Sequence, residues 1–354
     1  MPRKTYHLCC LCLIWVCQPQ ALHVPHHSVS GVSSGADMAL NHLVAFSSIT
    51  EGAAIVAGAP YGCNTVEDNV TDYCGTGWPS NHSSWIDRTL AAYMEGRAAW
   101  GLIDPLTSLT GRRIYLYSGQ YDWVVNQNAM RAVRRQLAPW TGQASILSDF
   151  GTPSTHGWIV DGSHCGPGLP GSNDSWCSTC CCSPDVLLAC SGHDLAGRAL
   201  HHLLGRSVPY QKGKIVASNL MSVPQASYLP AGRTLDDTGL WHTGYVYAPG
   251  ACRGAGVTSC SVHVHYHGCV WGVEYTGKKM LRRLGLMEWA EAMSIILVFP
   301  QASSTVDEGG CWDWTGEVDP LFDTQKGPQL NFVMSFLADL PRLLAESDNK
   351  ALLV

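Results

Sequence analysis

The sequence predicts an α/β fold with a mostly parallel central sheet and helices on both faces. Three observations carry that expectation. Short apolar runs bounded by turn residues, such as Gly52 to Pro60 and Ser294 to Phe299, read as strands buried on both faces, which is how strands of a parallel sheet read. Helix-length segments with an apolar stripe alternate with them. Finally, Gly31-Val32-Ser33-Ser34-Gly35 matches G-x-S-x-G, the sharp strand-to-helix turn that exposes a serine hydroxyl at the top of an α/β-hydrolase sheet.

The chain has 354 residues, of which 46% are hydrophobic and only 14% charged, enough to bury a large core. The net charge is −6 with no basic cluster, which argues against nucleic acid or an anionic membrane as partner. Residues 1–21 read as a signal peptide: Arg3 and Lys4 precede an apolar stretch from Leu8 to Cys17, with Ala21 at the cleavage point. That stretch is too short to span a bilayer. Cys9, Cys10, Cys12 and Cys17 would leave with the peptide, and an even twelve of the sixteen cysteines would remain. An even count suits an oxidising, extracellular location. The sequons at Asn69, Asn81 and Asn173 agree with it.

In order, His27 to Ser30 alternates like a short strand, and Ala36 to Phe46 is a helix after the turn. Gly52 to Pro60 is the next strand, after which Cys63 and Cys74 enclose a polar loop and are expected to pair. Trp85 to Trp100 reads as a helix, Arg113 to Gly119 as a strand ending in a turn that presents Asp122, and Asn128 to Leu137 as an amphipathic helix. Ala144 to Phe150 is a strand whose following loop presents His156. An irregular cysteine-rich loop, residues 162–190, then holds Cys165, Cys177, Cys180, Cys181 and Cys182, and disulfides there are favoured over a zinc site. Cys190 to Gly205 is a helix.

Ser33, Asp122 and His156 thus follow in the chain order of an α/β-hydrolase triad, each just after a candidate strand. The histidine would take the serine proton and return it to the leaving group, while the carboxylate fixes the tautomer. Such a set calls for no cofactor and no metal.

In the ordinary hydrolase order several strands precede the nucleophile, yet a mature chain has only about ten residues before Ser33. The missing pieces stand at the other end. Thr243 to Ala248, Ser261 to Cys269 and Ser294 to Phe299 are strand-like, with helices at Lys278 to Met293 and Leu330 to Leu344. The expected architecture is therefore a circularly permuted α/β-hydrolase, one catalytic domain over residues 22–346 with a C-terminal tail at 347–354. Two separate domains, divided near Gly205 to Gly232, are the alternative.

Several motifs together resemble one family: Gly31 to Gly35, Tyr61-Gly62-Cys63, Ser118-Gly119-x-x-Asp122-x-x-Val125, His156, Cys190-x-x-His193-Asp194, His263-x-x-x-His267-Gly268-Cys269, Phe299-Pro300-Gln301 and Gly310-Cys311-Trp312-Asp313-Trp314. They resemble the secreted poly(3-hydroxybutyrate) depolymerases, and more narrowly the single-domain, circularly permuted fungal type, from about Ser28 to Leu340. The resemblance implies hydrolysis of polyester bonds with Ser33 as nucleophile, Asp122 and His156 as its partners, and an oxyanion hole made by the amides of Ser34 and Cys269. It also implies the pairings Cys63 with Cys74, Cys165 with Cys190, Cys252 with Cys260 and Cys269 with Cys311. The segment Gly166 to Ala189 looks longer than the family's equivalent. The expected substrate is a polyester or small ester, and the expected state a secreted monomer with no membrane insertion.

Other readings compete. His263, His265 and His267 alternate on one strand face and could bind a metal, although a complete serine set makes that unnecessary. Trp123, Trp158, Trp271 and Trp314 lie near the proposed site loops and are candidate substrate contacts, because flat rings give large contact at small entropy cost. Two other functions fit the same fold: a carboxylesterase for feruloyl or acetyl esters, and a catalytically idle secreted binding protein.

Overall fold

The computed structural model describes residues 24–66, 74, 84–161, 187–190, 192–205, 211–253 and 259–351. The signal peptide, the three sequons and Cys165, Cys177, Cys180, Cys181 and Cys182 lie outside them.

The chain opens with β1 (His27–Val32), α1 (Ser34–Ala45), β2 (Thr50–Val56), α2 (Ser84–Ala99) and β3 (Arg113–Tyr117). It continues with α3 (Gln127–Thr141), β4 (Ile146–Asp149), β5 (Trp158–Val160), β6 (Leu187–Ala189) and α4 (Leu195–Leu204). The last part holds β7 (Leu220–Pro224), α5 (Leu235–Thr238), β8 (Thr243–Tyr247), β9 (Ser261–Tyr266), α6 (Val273–Thr276), α7 (Lys279–Arg283), α8 (Leu286–Met293), β10 (Ile295–Phe299) and α9 (Pro328–Ala351).

Eight strands form one sheet in the order β4-β3-β2-β1-β9-β10-β8-β7. The pairs from β4 across to β10 are parallel, and β8 runs antiparallel to both of its neighbours. Starting instead at β7, the chain visits β7, β8, β9 and β10 and would then enter β1. This is the ordinary hydrolase path with its start moved to β1, the strand that leads into Ser33, so the leading strands do come from the C-terminal third.

Alternation along the central strands builds two cores. Val29 of β1 and Val264 of β9 face one side, where α1, α3 and α9 supply Leu40, Leu43, Met130, Val133, Phe332 and Phe336. Val32 and Leu297 face the other, where α4 and α8 supply Leu200, Leu203, Met287 and Trp289. Burying such side chains stabilises by roughly 1.5–3 kcal/mol each, and it fixes the strand register because a one-residue slip would turn every one of them to the wrong face.

Three expectations change. The predicted helix from Lys278 to Met293 is two helices, because Gly285 sits at φ 79° and breaks the run between α7 and α8. The tail expected from residue 347 is largely the end of α9, which continues to Ala351. The strand β7 went unread. As a partly exposed edge strand ending in Pro224, it lacks the apolar run that betrays a buried one.

Three disulfides join the cysteine pairs 63 and 74, 252 and 260, and 269 and 311. Cys190 is also disulfide-bonded, and its expected partner Cys165 lies outside the described residues. Among the described residues no helix is long and apolar enough to cross a membrane.

Candidate active site

Ser33 stands between β1 and α1 with φ 58° and ψ −127°, a conformation that a non-glycine residue adopts only at a cost of about 1–3 kcal/mol. Its neighbours make this possible. A Cβ on Gly31 would lie 1.9 Å from the Gly35 carbonyl oxygen, and one on Gly35 would lie 2.3 Å from the carbonyl oxygens of Tyr266 and His267. Both obstacles are backbone, which cannot swing aside. Gly35→Ala is therefore expected to lower stability by about 3 kcal/mol or more, read as a drop in urea midpoint at unchanged slope. A loss under about 1 kcal/mol would show that the elbow has room to relax.

The loop after β3 presents Asp122 and the loop after β4 presents His156, and the two meet. Both are buried, with His156 Nδ1 2.9 Å from Asp122 Oδ2 and 3.2 Å from Oδ1. The amides of Val124 and Val125 donate to Asp122 Oδ1 at 3.0 and 2.9 Å, which orients the carboxylate and leaves Oδ2 to the histidine. With Nδ1–H given to Asp122, His156 Nε2 is left as an acceptor. Ser33 belongs to the same row of loops at the C-terminal ends of adjacent parallel strands. Its hydroxyl makes no hydrogen bond among the described residues, and such bonds commonly tighten only in the substrate complex.

The turn after β9 packs directly on the elbow. A Cβ on Gly268 would come 3.3 Å from Ser33 Cβ, and Cys269 Sγ lies 3.3 Å from Ser34 Oγ. His267 shapes this turn, its Nδ1–H donating to the Gly268 carbonyl at 2.8 Å while Nε2 accepts from the Ala302 amide at 3.1 Å. The Cys269–Cys311 bridge ties the turn to the Trp312 segment, whose amide donates to Ser34 Oγ at 3.4 Å. The amide of Ser34, first in α1, is one of the helix's unpaired donors. Neither it nor the Cys269 amide is engaged by another described residue.

The other two histidines of β9 serve the core. His263 lies between the hydroxyls of Ser28 and Ser30 at 2.8 and 2.7 Å, and His265 Nδ1 is 2.8 Å from Ser30 Oγ. Burial holds His263 down at about 3 and pushes His265 well below the usual imidazole range. The four tryptophans divide. Trp158 is wholly buried, donates its indole N–H to the Leu284 carbonyl at 2.9 Å and stands edge-on to His265, so it is core and not a substrate contact. Trp271, 5% exposed, also packs in the core. Trp123 is 47% exposed and Trp314 partly so, and these two remain at the surface.

No family model matches the chain. It is 29% identical over 306 residues to a poly(3-hydroxybutyrate) depolymerase of Delftia acidovorans, covering 86% of this chain but only 57% of that protein. A polyhydroxybutyrate depolymerase of Talaromyces funiculosus is 29% identical over 322 residues, covering 86% of each. The crystal structure of a PHB depolymerase from Penicillium funiculosum superimposes with a TM-score of 0.73 at 27% identity, over 89% of this chain and 95% of that one. A PHB depolymerase variant complexed with an R3HB trimer gives the same TM-score and identity over 90% and 98%. In sequence and in fold, over most of its length, the chain is similar to poly(3-hydroxybutyrate) depolymerases.

Proposed function

We propose that the protein is a secreted serine esterase that hydrolyses poly(3-hydroxybutyrate), or related polyhydroxyalkanoates and their oligomers. The observation that carries this is the contact of His156 with a doubly anchored Asp122, on loops at the ends of strands of the same parallel sheet whose strand β1 leads into a strained Ser33. In this reading Ser33 Oγ attacks the ester carbonyl as His156 Nε2 takes its proton. The amides of Ser34 and Cys269 hold the oxyanion in place. His156 then protonates the departing hydroxy-acid alcohol, and water, activated by the same imidazole, releases the acyl group from Ser33. The disulfides support an extracellular location.

The test is release of soluble 3-hydroxybutyrate oligomers from amorphous polymer by the parent and by Ser33→Ala. The parent is expected to release them and the variant to lose at least about four orders of magnitude of rate. Polymer left intact by the parent, alongside Ser33-dependent cleavage of an aryl or feruloyl ester, would move the substrate elsewhere in the esterase class.

A further inference from the structure

Val270 stands in the left-handed region at φ 57°, which a β-branched residue enters only as an outlier, and the mechanism above does not use it. It is the third residue of a four-residue turn in which the Trp271 amide donates to the Gly268 carbonyl at 3.2 Å. A positive φ at that place is ordinarily supplied by glycine or asparagine, so the turn works against its own residue. The same turn packs on the elbow, Gly268 against Ser33 and Cys269 against Ser34, and it carries the Cys269 amide.

What holds Val270 in place comes from a second loop, residues 307–311. The Val270 amide donates to the Gly309 carbonyl at 2.7 Å. Asp307 fastens that loop from within: its Oδ1 accepts the amides of Gly309 at 2.7 Å and Cys311 at 3.4 Å, and its carbonyl accepts the Gly310 amide at 2.8 Å. On one side the Tyr275 hydroxyl donates to the Glu308 carbonyl at 2.6 Å, and on the other the Cys269–Cys311 bridge joins the loop to the turn. There is little slack. A Cβ on Gly309 would lie 3.1 Å from Asp307 Oδ1, 3.2 Å from Cys311 Sγ and 3.5 Å from Cys269 Cβ. If Val270 relaxed to a negative φ, the peptide joining it to Cys269 would turn over and its N–H would leave the Gly309 carbonyl.

Building on the esterase reading, we propose that Asp307 is a positioning residue of the oxyanion hole. It holds loop 307–311 in the form whose Gly309 carbonyl keeps Val270 left-handed, and so keeps the Cys269 amide aimed at the oxyanion. In this role Asp307 neither contacts substrate nor carries a proton. It acts through backbone groups in series, Gly309, Val270 and Cys269. The strained turn is stabilised by this brace, and the result is a donor already aimed before the negative charge develops.

Asp307→Ala removes the acceptor, whereas Asp307→Asn keeps an oxygen for both amides. On a soluble aryl ester Asp307→Ala is expected to lower kcat by about 10- to 100-fold with KM within about twofold of the parent, because an oxyanion donor acts on the transition state and not on bound substrate. Asp307→Asn should keep most of the rate. The deciding variant combines Asp307→Ala with Val270→Gly. Glycine enters the left-handed region freely, so the turn no longer needs its brace and most of kcat should return. A general loosening of the fold would not be repaired by removing a second side chain. An unchanged kcat in Asp307→Ala, or a loss that Val270→Gly leaves in place, would overturn the proposal. Should Asp307→Ala fail to fold, Tyr275→Phe loosens the same loop from its exposed side and is expected to lower kcat several-fold, again restored by Val270→Gly. Hydrogen exchange at the Val270 amide requires no catalysis and is expected to be slow in the parent and faster in Asp307→Ala. A parent without esterase activity but with that difference would sink the esterase reading and leave the brace standing. Equal exchange in the two would overturn the brace.

Discussion

Replacing Asp122 with asparagine is expected to lower kcat on any accepted ester by a factor on the order of 10³–10⁴ with little loss of stability. The reason lies in how the carboxylate is held. Val124 and Val125 both donate to Oδ1, so an asparagine would keep its carbonyl oxygen there and turn its NH₂ toward His156. A donor in the place of Oδ2 now faces Nδ1, which had donated across 2.9 Å. The imidazole meets it by carrying its proton on Nε2, the atom that accepts from Ser33 in the proposed mechanism. The site would keep its shape and lose its base. Kinetics and a thermal melt on the same preparation decide the matter. A loss under tenfold would mean that Asp122 only fixes the ring and that it does not carry the imidazolium.

How much of this was legible in the residues follows from what each signal depends on. The elbow is local: two glycines at fixed spacing around a serine, between a strand and a helix, state a steric need that the carbonyls of Gly35, Tyr266 and His267 enforce. The permutation was legible as an arithmetic shortage of chain before Ser33. Asp122 and His156 were legible only jointly, through chain order and strand ends, and their contact confirms that parallel strands deliver successive loops to one edge. Trp158 and Trp271 misled because a tryptophan's type says nothing about which face of a loop or strand it leaves from. Ring-to-core packing against His265 and the aliphatic cluster decided that. Ser28 and Ser30 alternate visibly with the apolar positions of β1, yet their partners His263 and His265 come from a strand more than two hundred residues away. Only the permuted topology makes those strands neighbours.

Acidification is expected to unfold this protein far more readily than the ordinary carboxylate chemistry would, because its core holds histidines that can be accommodated only as neutral rings. His27 donates Nδ1–H to the Pro25 carbonyl, so its Nε2 must accept from His42 Nε2–H at 2.8 Å, and His42 Nδ1 in turn accepts from Tyr266 O–H at 2.6 Å. One more proton on His27 Nε2 would set two N–H groups against each other. Burial accordingly holds His27 and His267 at about 4 and His263 at about 3, with His42 and His265 well below the usual range. In the unfolded chain each titrates near 6.5. Between that value and the folded one the unfolded state binds more protons, so stability is fully present above pH 6.5 and is lost as the pH falls. At pH 5 His27, His263 and His267 each contribute a loss of about 2 kcal/mol, and His42 and His265 act in the same direction. Four carboxyls act oppositely, Asp37, Asp313, Glu288 and Asp323, all raised by burial. Burial raises Asp37 to about 7 and Asp313 to about 6, so the folded state takes their protons first and offsets part of the histidine loss. A loss of a few kcal/mol is a large fraction of the whole stability of a typical domain. Thermal melts followed by circular dichroism should therefore fall by about 10 °C or more between pH 7.5 and pH 5. Denaturant titrations across the same range should show a net uptake of protons on unfolding. A melting temperature level across that interval would mean that the histidine chain opens to solvent before the rest of the fold. The opening would begin on β1, the strand that delivers Ser33, and so activity should be lost at the acid edge together with structure, not after it.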